Sequence, residues 1–329
     1  MRHLWLHIAL AALSSALLLL VPHAQAQRLA PQVGAFADVG LGARPAALGQ
    51  AYVGLADDAF AVLWNPAGLG GHTAPSVGLS YAEQWSLVEY QSAVLAVPVR
   101  TGGVGLAVLS SGDDALREVT LVSGYAHTLG ALQLDVALTY RHASFGNNTY
   151  RDGDLVAFDP DEIAEGLAQQ VQGTAVGFGV DVGLMLQATP RISVGAVVQD
   201  VYAPVSWASA THGGAQQARG AYDEHVPLRL AVGSAYHLTN RFTVAADYRP
   251  ALSDELADAV HVGGEVYLLD VLQLRGGVHQ RVGIQPEQHY SFGMGVALPL
   301  APALTLGGDY AYLAQPLGTT HHLTLSLTF

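Results

Sequence analysis

His321-His322-Leu323-Thr324-Leu325-Ser326-Leu327-Thr328-Phe329 closes the chain, and its alternation decides the fold. Leu323, Leu325, Leu327 and Phe329 share one side of an extended backbone. His322, Thr324, Ser326 and Thr328 share the other, because strand side chains alternate with period two. An edge strand of a soluble sheet reads this way. So does a strand with one face toward lipid and one toward a hydrated interior.

The amino terminus favours the second reading. Met1 to Ala26 has a basic start at Arg2, an apolar run from Ile8 to Val21, and Ala24-Gln25-Ala26 before Gln27. This is the pattern of a secretory signal peptide cleaved after Ala26. The chain has no cysteine, so neither a lipid anchor at the junction nor disulfides are expected. Beyond residue 27 no apolar run reaches the ~20 residues of a spanning helix. Yet the chain is 50% hydrophobic and 12% charged, with a mean hydropathy of +0.29. Soluble domains carry about 25% charged residues. An apolar exported chain without spanning helices fits a closed β-barrel, since lipid requires every backbone polar group to be paired internally. The net charge of -13 argues against nucleic acid and against a polybasic membrane patch.

From Ala74 onward, segments of roughly ten residues alternate in polarity between turn signals. Leu132 to Arg141 is the clearest: Leu132, Leu134, Val136, Leu138 and Tyr140 oppose Gln133, Asp135, Ala137, Thr139 and Arg141. Phe242–Arg249, Val176–Leu186 and Leu304–Tyr312 repeat it. About 14 strands result, an even number as expected of a bacterial barrel. Connections alternate in length, with short ones such as Arg100-Thr101 and Asp270, and long ones such as 83–88, 111–117, 142–173, 201–227 and 313–320. Short turns belong on the periplasmic side. The expected architecture is therefore all-β: a signal peptide over 1–26, an N-terminal plug over 27–73, and a transmembrane antiparallel barrel over 74–329. Tyrosines at segment ends, among them Tyr90, Tyr125, Tyr310 and Tyr312, suit membrane interfaces.

The segment from Gln27 to Gly71 does not alternate. Ala46–Ala56 and Asp58–Trp64 read as short helical pieces, with Asp57 or Asp58 as cap and Asn65-Pro66 as stop. Its apolar residues need burial, and the barrel lumen offers it. Gly42-Ala43-Arg44-Pro45-Ala46-Ala47-Leu48-Gly49-Gln50-Ala51-Tyr52-Val53-Gly54-Leu55-Ala56-Asp57-Asp58, followed by Trp64-Asn65-Pro66-Ala67-Gly68-Leu69, resembles the N-terminal signature of the PorV/PorQ family. That family is related in fold to FadL-type transporters of hydrophobic compounds, barrels of 14 strands with an N-terminal hatch. The resemblance implies an outer-membrane protein without a cofactor. It further implies that secreted cargo or type IX secretion components are partners, with FadL-like uptake of small hydrophobic compounds as the alternative. Leu323, Leu325, Leu327 and Phe329 resemble the terminal signal read by barrel-assembly machinery.

Among candidate sites, Gly40-x-Gly42 lacks the preceding strand of a dinucleotide loop. Asp152-Gly153-Asp154 lacks the Glu of an EF-hand. His321 and His322 point to opposite faces and cannot share a metal ion. No Gly-x-Ser-x-Gly motif is present, and no enzymatic role is expected. Asp135, Asp181, Asp247, Glu265 and Asp309 are expected to face the lumen with Arg141, Arg229, Arg249 and Arg275, satisfying one another and the plug. Asp159-Pro160 opens an expected helix through Gln170. Tyr202, Trp207 and Tyr222, on the segment 201–227, are expected to form a partner surface or a gate.

Overall fold

A computed structural model describes residues 41–85, 87–113, 115–146, 171–211, 219–253, 257–283, 287–316 and 318–329. The signal peptide, the acidic Asp152–Asp154 loop and the helix expected after Asp159 lie outside the described residues.

The chain passes from α1 (Ala43–Ala47) and α2 (Ala61–Trp64) through a 3-10 turn (Pro66–Gly71) into strands. These are β1 (Ser76–Gln84), β2 (Val88–Val99), β3 (Gly102–Gly112), β4 (Leu116–Leu129), β5 (Leu132–Phe145), β6 (Val171–Thr189), β7 (Ile192–Tyr202), β8 (Pro204–Thr211), β9 (Arg219–His225), β10 (Arg229–Thr239), β11 (Phe242–Arg249), β12 (Asp258–Tyr267), β13 (Leu272–Val282), β14 (Gln288–Ala301), β15 (Leu304–Gln315) and β16 (Gly318–Thr328). Fourteen strands pair antiparallel with their neighbours in a closed barrel. β16 closes it against β1, with Leu79 opposite Leu325 and Tyr81 opposite Leu323. Phe329 donates its N–H to Pro75 O at 2.9 Å, at the rim of this seam. The remaining two strands, β8 and β9, form a hairpin that extends the wall from the long upper part of β6.

The exterior is apolar. Leu79, Leu138, Phe178, Phe292 and Leu325 are among its exposed side chains. A closed sheet leaves no unpaired edge in the band where lipid would lie, so this exterior and this topology satisfy the same constraint. Tyr125 Oη hydrogen-bonds with Thr101 and His127, and Tyr310 Oη with His321. Tyr90 departs from the interface expectation: it is buried in the lumen, where its hydroxyl donates to Gln84, because its place in the alternation points inward.

Two further expectations change. Leu313–Thr320 is not a long loop, because β15 and β16 run on to Gln315 and Gly318 and meet in a tight turn. The strands likewise continue into the segments 83–88 and 111–117. The first helical piece is Ala43–Ala47, not Ala46–Ala56. Gly49 and Gln50 have φ of 62° and 67°, and two successive left-handed residues end a right-handed helix.

Candidate functional site: the plugged lumen

The plug has little regular secondary structure, so few of its backbone groups find partners within it. Buried backbone groups without partners are costly. The inward side chains of the wall supply those partners. Asp247 on β11 accepts from Tyr52 N and Val53 N at 2.7 and 2.9 Å. Ser193 donates to Gly54 O, Ser291 to Ala47 O, and Thr128 to Gly70 O. Thr324 accepts from Ala43 N. His261 Nδ1 donates to Gly49 O at 2.8 Å. Arg249 reaches Gln50 O and lies over the Trp64 ring, 5.3 Å from its centroid. Part of the inner wall's polarity thus serves the plug's main chain.

Small residues on the wall make the approach possible. A Cβ at Gly277 would overlap Gly49 N and Leu48 C, and one at Gly263 would overlap Leu48. Gly49, with positive φ, sits against Val278; an added Cβ would come within 2.6 Å of Val278 N. Gly68 faces Ala56 O just as closely, and Gly42 abuts Phe60.

The motif residues act as joints of the plug. Asn65 accepts from Ala67 N and donates to Val53 O and Leu184 O, tying the start of the 3-10 turn to β6. Its extended conformation ahead of Pro66 ends α2. Trp64 Nε1 donates to Leu41 O, and its ring packs edge-on against Tyr52. Asp58 accepts from Phe60 N, a local turn before α2 rather than a cap on it.

Six of the nine charges named from sequence fall into two groups. In one, Arg44 donates from Nε and Nη2 to Glu265 at 3.1 and 2.8 Å. Arg44 also reaches Asp57, Asp58 and Tyr52 Oη, while Arg275 joins Glu265 to Asp309. In the other, Arg141 and Arg229 clasp Asp200 at 2.6 and 3.1 Å, and Asp181 accepts from Asp200 N. Asp135 lies in the wall near the start of the 3-10 turn, buried, with both oxygens lacking a hydrogen bond of normal geometry among the described residues.

Asp200 is a buried charge at the centre of its group that sequence reading missed. Simple alternation turns it away from the lumen. Between the pairs Val182–Val198 and Val180–Tyr202 β7 bulges, running four residues against two of β6, and Asp200, with φ 58°, turns inward beside Val197 and Gln199. Bulges re-aim side chains in this way. Three lumen histidines, His261, His279 and His289, also went unremarked; they occupy one register row on β12, β13 and β14.

Tyr202, Trp207 and Tyr222 do not form one surface. Tyr202 pairs with Val180 on the outer face and contacts His225. Trp207 lies opposite Ala175, whose other partner is the lumen-side Ala143. Trp207 therefore faces inward, stacked on Tyr222 with centroids 5.8 Å apart and against Phe145 at 5.8 Å. The reason is the backbone break at Ala203, after which the chain re-enters the sheet as β8 in a new register.

No protein-family description and no curated protein sequence matches the chain. Among solved structures, the Ralstonia pickettii toluene transporter TbuX superposes with a TM-score of 0.57 at 14% identity, covering 89% of this chain and 98% of that one. The Pseudomonas putida toluene transporter TodX gives 0.58 at 13%, covering 88% and 97%. A Pseudomonas aeruginosa FadL homologue gives 0.58 at 12%, covering 92% and 99%. The chain has the fold of the FadL-type barrels. Barrels of this fold are outer-membrane proteins, and the apolar exterior fits that location.

Proposed function

We propose that the protein is an outer-membrane channel that admits small hydrophobic compounds, monoaromatic ones included. The observation that carries this reading is the aromatic row formed by Phe145 at the end of β5 with Trp207 and Tyr222 on the hairpin, on the inward face of the long-loop end. Large apolar surfaces at a mouth, with few polar groups, are what apolar ligands are captured by. Two of the solved structures that share this fold carry toluene transport in their names. The polar lining of the lumen does not oppose the reading, because part of it is engaged by the plug and the charges around Asp200 are engaged with one another.

Tryptophan emission tests it. Toluene should quench a Trp207→Phe-sensitive fraction of the emission of the purified protein, against a background from Trp64 and Trp85 and, where the leader is retained, Trp5. Vesicles carrying the protein should take up labelled toluene faster than empty ones. Absence of both effects would sink the reading.

A second reading is favoured by the plug signature Gly42 to Leu69 and by the density of its seal. In it the barrel is a PorV/PorQ-type platform that engages secreted proteins, with Tyr202 at the end of β7 and His225 on the hairpin, in contact on the outer face. Co-purification of secreted proteins, lost in Tyr202→Ala and retained in Trp207→Phe, would favour this reading over the channel.

A further inference from the structure

The plug's turn at Gly49 and Gln50, both with left-handed φ, is held at successive carbonyls by two wall side chains. His261 Nδ1 donates to Gly49 O, and Arg249 Nη2 to Gln50 O. His261 heads a row. It is the register partner of His279, and His279 of His289, near the long-loop ends of β12, β13 and β14. Ring centroids stand 4.3 Å apart from His261 to His279 and 5.0 Å apart from His279 to His289. Exposure rises along the row, from 0% at His261 to 7% at His279. It reaches 13% at the His289 side chain, beside the partly exposed Glu287. A line of titratable groups therefore runs from the outer surface to the plug's backbone. Nε2 of His261 and of His279 has no hydrogen-bond partner among the described residues, so a proton added there meets no waiting acceptor among them.

Cations flank the row. Arg249 on β11 and Arg281 on β13 lie close enough to act on both His261 and His279. Asp247, the register partner of His261 on β11, gives its Oδ2 to Tyr52 N and Val53 N. Its Oδ1 lies against Gly233 on β10, on the side away from His261. Glu265, four residues along β12, is committed to Arg44 and Arg275. Glu287 is shared by Arg281 and His289 at the outer end. From the plug comes Gln50, which is neutral.

We propose that this histidine row is an acid-operated release for the plug, worked by protons from the outer side. Protonation leaves Nδ1–H of His261 in place, so the added charge acts, not a lost donor. Each imidazolium would stand a ring's spacing from the next and close to Arg249, away from water, where charge is costly to bury. Withdrawing the Gly49–Gln50 turn lets water in, and wetted histidines take up protons near their ordinary range of about pH 6.5. The released state therefore binds more protons than the held one, and the held state weakens as pH falls below that range. The device acts on the seal and is independent of which solute the barrel conducts.

Hydrogen exchange of the protein in lipid vesicles, corrected for the intrinsic pH dependence of exchange, tests it at about pH 7.5 and about pH 5. Peptides covering Gly49 to Val53 should lose protection about tenfold or more at the lower pH. The β1–β16 seam should keep its own. His279→Gln removes the middle titrating ring of the row, and His289→Gln the outermost. Each variant that shows the heat-modifiable gel migration of a folded barrel should match wild type at the higher pH and retain more protection at the lower. Acid loss unchanged in the folded variants would assign the effect to a carboxylate such as Asp247 and overturn the proposal. Equal protection of the plug at both pH values, or loss of the seam's protection together with the plug's, would overturn it as well.

Discussion

Arg44 in the plug and Glu265 on β12 meet at two points, Nη2 to Oε1 at 2.8 Å and Nε to Oε2 at 3.1 Å, across 221 residues of sequence. Glu265 is almost fully buried, and Arg275 holds its Oε2 as well. Paired forks of this kind give geometry as well as energy. Removing one partner of a buried pair leaves an uncompensated charge, at a cost of ~3–5 kcal/mol. Glu265→Gln should therefore loosen the plug more than any single change on the outer face. Urea unfolding in lipid vesicles should show the loss, and protease should reach the plug of the folded barrel. An unchanged digestion pattern would show that the ion pair does not retain the plug.

Gly276 and Gly277 are neighbours on β13 with opposite surroundings. At Gly276 an added Cβ comes no closer than 3.8 Å to any atom, whereas at Gly277 it would overlap the plug backbone. Gly276→Ala should stay within about 0.5 kcal/mol of wild type. Gly277→Ala should destabilise by ~1–3 kcal/mol, the range of overpacked cores. Equal stability of the two variants, by the same unfolding assay, would contradict direct contact between plug and wall.

Leu325 is 61% exposed on β16 and lies opposite Leu79. Leu325→Arg should cost ~2–4 kcal/mol in a bilayer if the residue sits near its midplane. Thr324→Val, facing the plug, should instead act through the lost Ala43 N and Ser80 hydrogen bonds. The diagnostic is lipid dependence: the Leu325 effect should shrink in detergent, and the Thr324 effect should not.

Trp207 and Tyr222 are stacked at 8° between planes. An aromatic pair contributes about 0.5–1.5 kcal/mol beyond its buried area, so Trp207→Ala should fold. Its vesicles should take up toluene more slowly than wild type, and its melting transition should fall modestly yet stay cooperative. Uptake at the wild-type rate would remove Trp207 from the route.

Much of the wall was legible before the structure. Each of the fourteen alternating segments corresponds to a barrel strand, because lipid outside and a polar plug inside force the period of two on every strand. Leu138 and Phe178 read as outward, Asp181 and Asp247 as inward, and they lie so. Two kinds of feature escaped. Where a bulge adds residues, the period breaks, and Asp200 changes face with no sign in the residues around it. Where strands outrun the membrane, polar and small residues replace the apolar ones, and the long-loop segments 83–88, 111–117 and 313–320 hid strand ends. The extra hairpin escaped for the same reason: β9, Arg219 to His225, has no apolar face at all.

By itself the sequence determined that the chain forms an alternating wall, that this wall is closed by the strand ending at Phe329, and that the apolar segment before Ser76 needs an interior. Those follow from local periodicity and composition, which any nine or ten residues carry within themselves. The tertiary structure alone decided which wall residue meets which plug residue: Glu265 with Arg44, Asp247 with Tyr52 N, Gly277 with Gly49. Such pairings depend on register around a closed ring and on backbone approach through glycine. Neither is encoded in the neighbours of a residue along the chain; both arise when strands far apart in sequence close around the plug.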